Sequence, residues 1–260
     1  MENISIHKTA IVHPGAKLSS GVSVGPYSVI EGDVSLGDNV RVASHCVITG
    51  QTKIGKNCKI YTGAVVGSAP QDRKHSADDN VFLNIGENNT IREYVTINPG
   101  TAEGGGKTVI GNNNLIMAYA HVAHDCVIGN NCVMANAATL AGHVTLEDGA
   151  VIGGLSAVHQ FVRLGRLSIV GGCSKVTQDV PPFAMVDGHP VKVLRTNAIG
   201  LKRSGISPET IALLKKAFKI LFHSGYAKTN AIEKVVQTIE MTPEIEHLVF
   251  FAKTTKRGLC

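Results

Sequence analysis

The chain has 260 residues, with 25 lysines and arginines against 20 aspartates and glutamates, 28 glycines and no tryptophan. That length buries a core for one large domain or one and a half, and aliphatic residues with abundant glycine suit many short strands joined by tight turns. The N-terminus MENISIHKTA has no basic segment leading into an apolar run, and no apolar run reaches the roughly 18 residues that span a bilayer, so neither a signal peptide nor a transmembrane segment is expected and the working compartment is expected to be cytoplasmic.

Taken from the N-terminus, the chain is periodic. Every sixth residue from Val12 to Val66 is aliphatic, the pattern resumes at Ile85, Ile91 and Ile97, and it returns from Ile110 to Val176. All 25 of these positions are apolar in a chain whose hydrophobic content is 43%, which chance does not produce. A hexad is too short for a hairpin repeat. It fits one face of a triangular parallel β-helix, with three hexads making an 18-residue coil. The residue two places before each aliphatic is mostly small, as in Ala10, Ala16, Ser28, Ala64, Ala120, Ala138 and Ser156, which is expected to let the chain bend at the corners. Cys46, Cys58, Cys126 and Cys132 share that slot and read as buried packing residues, and no CxxC pair occurs.

Two insertions break the register. Residues 67–82, GSAPQDRKHSADDNVF, are polar, and residues 98–108, NPGTAEGGGKT, are glycine-rich. Loops on a rigid scaffold carry function. The glycine-rich segment matches no phosphate-loop pattern and opens no helix, so triphosphate binding is not expected there.

The next stretch, AYAHVAHDCVIG, holds His121, His124 and Asp125. Because coils repeat every 18 residues, His121, His124, His143 and His159 are expected around one corner on successive coils about 4.8 Å apart, with Gly142 beside His143 and Gln160 beside His159. Such corner residues face outward, where a neighbouring subunit packed about a threefold axis would cover them. Three functions fit the cluster at this point: acid–base catalysis, a catalytic zinc with an open position, or a non-catalytic surface.

After Val176 the hexads stop, and QDVPPFAMVDGHP reads as a proline–glycine junction. Helices are expected over SPETIALLKKAFKILFHSG, with Ser207 as N-cap and Pro208 at N1, and over TNAIEKVVQTIE and TPEIEHLVFFAKTTKRG. The last turns are expected to hold Lys253, Lys256 and Arg257, in keeping with the helix dipole. The organisation expected is a β-helix over 1–190 and a helical domain over 191–260. The first carries 13 basic residues against 15 acidic and the second 12 against 5. A basic tail suits an anionic partner, but no aromatic-interleaved basic motif points to nucleic acid.

The segments HVAHDC (121–126), TLAGHV (139–144), AVHQF (157–161), GGCSKVTQDVPP (171–182) and GLKRSG (200–205) resemble those of the acyl-carrier-protein–UDP-N-acetylglucosamine O-acyltransferases, which open lipid A synthesis. The likeness covers hexads, both loops and helical tail. It implies a mainly β fold, a left-handed parallel β-helix of hexapeptide repeats followed by a C-terminal α-helical domain, in a homotrimer with inter-subunit active sites. It also implies transfer of a 3-hydroxyacyl group from acyl carrier protein to the 3-hydroxyl of UDP-N-acetylglucosamine, with no cofactor and no metal.

By motif match His124 is then the general base, Asp125 its orienting acid and Gly142 the oxyanion donor. For two adjacent residues to act together, they must sit at a bend. The likeness further implies that His121 and His143 contact substrate. Asp72, Lys53 and Lys74 bind the sugar, and His159, Gln160, Asn197 and Arg203 hold the UDP portion. Gly172 leaves room for a long acyl chain, and the basic tail receives the acidic carrier. Departures from the pattern are Ser204 and Ile199, where some relatives have an arginine and an acid, and Asn98, where some have histidine. The other readings kept open are a zinc-dependent carbonic-anhydrase-like enzyme and a sugar-nucleotide-binding scaffold without catalysis.

Overall fold

The computed structural model describes residues 3–76 and 78–260. Hexads become two-residue strands, one per face, and each pairs in parallel with the strand one coil away. Among the described residues three sheets result: a first face of eleven strands starting at Ser5–Ile6, a second of nine starting at Ile11–Val12, and a third of eight starting at Lys17–Leu18. The register explains the period. Val66, Ile97, Val122, Leu140 and Val158 stack along the second face, one per coil, and all are at most 2% exposed. Each aliphatic points into the prism and packs on its copies above and below, and removing such area from water supplies the main stabilisation.

The small slot is also inward. Ala64, Cys46, Ala120, Ala138 and Cys126 are fully buried, as expected for packing residues. The corners themselves, however, are made one step earlier, by a two-residue turn whose second member has positive φ. Asn39, Asn57, Asn88, Asn113 and Asn131 take that place at the third-to-first corner, with φ between 57° and 59°. Asparagine tolerates this left-handed conformation better than most residues. The small residues follow the bend and make room inside it.

Both insertions leave the second face and return on the third, so they hang from one corner, one coil apart. They are shorter than the sequence suggests, because Phe82–Ile85 and Lys107–Ile110 are already strands. The proline–glycine junction is likewise not irregular throughout. Ala184–Gly188 joins the first face and forms an antiparallel hairpin with Val191–Thr196, so the expected division at 190/191 falls in the hairpin's turn.

Four helices follow: α1 Ala198–Arg203, α2 Pro208–His223, α3 Lys228–Thr238 and α4 Pro243–Thr254. Helix α1 was not legible in the sequence. Ser207 caps α2 by accepting from the Thr210 N–H, and Pro208 sits in its first turn, as expected. Only Lys253 lies in the last turn of α4; Lys256 and Arg257 fall in the strap beyond it. That strap folds back on the prism, where the Asp179 and Cys260 N–H groups donate to Gly258 and Asp179 carbonyls. No helix is long and apolar enough among the described residues to cross a membrane.

Candidate active site

The corner between the second and third faces carries, in successive coils, loop 67–81, loop 98–106, and the turns holding His124–Asp125, Gly142–His143 and Gln160–Phe161. A cleft of about 710 Å³ opens there, lined by Asp72, Lys74, Thr101, His124, His143 and Gln160 among others.

Asp125 is the positive-φ member of its turn, at +58°. The bend turns two consecutive side chains toward one another, so His124 Nδ1 lies 2.8 Å from Asp125 Oδ2. This is the bend that the pairing of adjacent residues required. A carboxylate only accepts, so Nδ1 carries the proton and Nε2 presents its lone pair. Nε2 has no hydrogen-bond partner among the described residues. It lies beside Gly142, where a Cβ would come within 2.5 Å of Cε1 and 2.7 Å of Nε2. Only glycine fits against this ring. The ladder uses the N–H groups of Ala141 and His143 but leaves that of Gly142 free among the described residues.

His143 completes the centre. Its ring stands edge-on to His124 at 5.2 Å, stacks on Phe161 at 4.4 Å, and places Nε2 3.8 Å from Asp125 Oδ2. Asp125 is almost wholly enclosed, its side chain 1% exposed. Its cover comes from the chain's own glycine-rich loop, through Thr101, which no sequence signal marked.

The other two histidines flank this pair and bond elsewhere. His121 projects from the second face, its Nδ1 2.7 Å from Thr96 Oγ1. Burial, and secondarily the nearby His124, push its imidazole below the usual range. His159 has Arg257 Nη2 of the C-terminal strap 3.2 Å from its Nδ1. The four therefore lie along one corner, as expected, and His124 and His143 are the two whose rings meet.

Asp72 and Lys74 reach the cleft from the first loop, and Lys74 Nζ pairs with Glu103 Oε2 of the second at 2.8 Å. Lys53 does not reach it. Lys53 lines a separate recess on the third face with Lys17 and Phe82. Asn98, uninterpretable in the sequence, is buried and ties the base of the first loop, donating to Ser68 and Ala69 carbonyls at 2.9 and 3.2 Å. Asn197 and Arg203 line a different cleft, of about 780 Å³, between the first face and α2. The Asn197 side chain accepts from the Gly200 N–H to cap α1 and donates to the Leu167 carbonyl. Gly172 lies at the first-to-second corner, where its Cβ position meets only the Gly154 carbonyl, at 3.4 Å. In one chain the expected residues thus lie apart: at the active corner, in the Lys53 recess, in the Asn197–Arg203 cleft and at the Gly172 corner.

His124, Asp125 and His143 also place three potential ligand atoms within 4.8 Å of one another. Both Asp125 oxygens already accept from Thr101, and Oδ2 from His124 as well. A cation at this trio would compete with those bonds.

Residues 179–260 match the family model for UDP N-acetylglucosamine O-acyltransferase, domain 2, and residues 15–50, 33–68 and 107–142 match bacterial transferase hexapeptide repeats. An acyl-(acyl-carrier-protein)–UDP-N-acetylglucosamine O-acyltransferase of Thermodesulfovibrio yellowstonii is 51% identical over 255 residues, covering 98% of both chains. One of Alkalilimnicola ehrlichii is 45% identical at the same coverage. This chain belongs to the UDP-N-acetylglucosamine O-acyltransferase family. The solved UDP-N-acetylglucosamine acyltransferase of Bacteroides fragilis superposes with a TM-score of 0.95 at 37% identity, covering 98% of this chain and 99% of that one. The protein is accordingly an acyltransferase with the mainly β, left-handed parallel β-helix fold of its family and helices at its C-terminal end.

Proposed function

We propose that this chain transfers a 3-hydroxyacyl group from acyl carrier protein to the 3-hydroxyl of UDP-N-acetylglucosamine, the first step of lipid A synthesis. The observation that carries the mechanism is the His124–Asp125 pair packed against Gly142. A sugar hydroxyl is a poor nucleophile until a base takes its proton, and an imidazole near neutrality suits that task, worth about 10²–10⁴-fold.

His124 Nε2 takes the proton of the 3-hydroxyl as its oxygen attacks the thioester carbonyl carbon. Asp125 holds the ring and stabilises the imidazolium through Nδ1–H, as in a catalytic dyad. The free Gly142 N–H donates to the tetrahedral oxyanion, a contribution worth about 10²–10³-fold in such sites. Collapse breaks the carbon–sulfur bond, and the departing thiolate of the carrier takes back the proton held on Nε2. The products are the 3-O-acyl sugar nucleotide and free carrier thiol.

The separation of the expected site residues within one chain supports a homotrimer. The corner bearing His124, His143, Gln160, Asp72 and Lys74 faces a neighbour's Asn197, Arg203 and Gly172, and one subunit alone cannot complete the site. His121 and His159 flank it, and Lys53 joins only from across an interface. Exposed Tyr27, Tyr94, Tyr119 and Leu155 along the first-to-second corner suit burial between subunits. Glycine at 172 leaves the acyl groove open, which favours a long chain. Arg195, Lys215 and Lys219 on the second cleft suit the acidic carrier. The 1–190 unit does the chemistry and the 191–260 unit receives the carrier, in the cytoplasm where both substrates are soluble.

The test is acyl transfer from 3-hydroxyacyl carrier proteins of graded length to UDP-N-acetylglucosamine, with His124→Ala alongside. Transfer lost in the variant while the trimer persists is expected. Transfer retained by His124→Ala removes the base. The trio within 4.8 Å favours a zinc site as the second reading, and stoichiometric zinc by elemental analysis would select it.

A further inference from the structure

The glycine-rich loop has no part in the steps above, yet it makes the shortest hydrogen bond to Asp125. The Thr101 N–H donates to Asp125 Oδ1 at 3.0 Å and its hydroxyl to Oδ2 at 2.7 Å, so one residue engages both carboxylate oxygens. The Gly104 N–H donates to the same hydroxyl at 3.1 Å, leaving the Thr101 proton directed at the acid. The Gly106 N–H closes the loop on the Thr101 carbonyl at 2.9 Å. Gly104 itself lies against the carboxylate, where a Cβ would stand 2.1 Å from Oδ2. The contact itself is enclosed, with Thr101 and Asp125 each only 6% exposed.

We propose that Thr101 is a positioning residue for the His124–Asp125 pair, and that the glycine-rich loop exists to deliver it. This rests on the general-base reading of His124. Without the two Thr101 donors, His124 Nδ1 is the only close hydrogen-bond partner left on the carboxylate among the described residues, and the acid can then rotate about its Cβ–Cγ bond and carry the imidazole with it. With them, both carboxylate oxygens are held, the plane of the acid is fixed, and Nε2 stays beside Gly142. The hydroxyl is essential because it donates and accepts at once, binding Asp125 while held by Gly104. The glycines follow from the same geometry, since any side chain at 104 would occupy the space of the acid.

Thr101→Val keeps the shape and the backbone donor but removes the hydroxyl, while Thr101→Ser keeps the hydroxyl. Thr101→Val is expected to lower kcat by up to about 10²-fold, the scale of a misaligned catalytic group, with KM for the sugar nucleotide unchanged and kcat restored in Thr101→Ser. Added to Asp125→Asn, Thr101→Val is expected to cost nothing further, because residues acting through one another are not additive. Gly104→Ala is expected to reproduce the loss through displacement of the acid, and serves if the valine variant does not fold.

A second readout is independent of turnover. In protein carrying ¹⁵N-histidine, a downfield Nδ1 proton that vanishes in His124→Ala is expected to shift in Thr101→Val and return in Thr101→Ser. An unmoved resonance, wild-type kcat in Thr101→Val, or an additive loss on Asp125→Asn would each overturn the proposal. Wild-type protein that transfers no acyl group, but whose resonance responds as described, would count against the proposed reaction and not against the clamp.

Discussion

Gly142→Ala tests the site at its tightest contact. The added Cβ would stand 2.5 Å from His124 Cε1 and 2.7 Å from Nε2. A normal carbon–carbon separation is about 3.5 Å or more, so the ring must retreat by about 1 Å. The retreat cannot be absorbed freely, because Nδ1 is bonded to Asp125 at 2.8 Å and the acid is itself fixed by Thr101. A displacement of about 1 Å takes a hydrogen bond outside its range of roughly 2.7–3.2 Å. Misplacement on this scale costs about 10²-fold in rate, equivalent to about 2.7 kcal/mol of transition-state stabilisation. Overpacking is expected to lower stability by about 1–3 kcal/mol without unfolding the chain, since the φ of Gly142 lies outside the left-handed region. The assay is steady-state acyl transfer with circular dichroism as the control for folding. Wild-type kcat in folded Gly142→Ala would refute the reasoning, because the ring would then have a second productive position.

Three further outcomes are expected. Leu140→Ala empties a fully buried slot beneath the active corner and should cost about 2–5 kcal/mol in urea unfolding, the range for large-to-small core changes; a negligible cost would mean the coils collapse around it. His121 has its imidazole held below the usual range by burial first and His124 second, so the unfolded chain binds a proton near pH 6.5 that the folded chain takes up only at lower pH. Stability should therefore fall as pH drops below about 6.5, and His121→Gln should flatten that fall in the urea midpoint. Burial pushes the Cys126 thiol up to about 12 and the Cys132 thiol to about 11. Neither should react with alkylating reagents at neutral pH until the protein unfolds, since the thiolate is the nucleophile; modification of either in folded protein, read by mass spectrometry, would show that the prism opens.

The prism was legible because its code is one-dimensional. A slot that recurs every six residues reports the same environment each time, and 25 apolar occupants leave no other fold to consider. The caps of α2, Ser207 and Pro208, were readable for a similar reason, since a cap acts on N–H groups two or three residues away. The hairpin Ala184–Thr196 was not, because its turn carries proline and glycine and its pairing depends on the prism's last coil. The six-residue α1 has too few turns for a periodic signal.

The site divides along the same line. Adjacency in sequence and the 18-residue coil placed His124, Asp125, Gly142 and His143 together before any coordinates. The coil could not say that His121 would turn to Thr96 and His159 to Arg257. Those outcomes depend on which side of a face a residue leaves and on what packs against it. Thr101 is the sharpest case. It lies 24 positions from Asp125, off the hexad register. Only the path of an insertion returning over its own corner brings its hydroxyl to the acid. Periodic burial is written into sequence because each coil repeats one environment, whereas a contact between a loop and a corner occurs once and is set by the fold that both hang from.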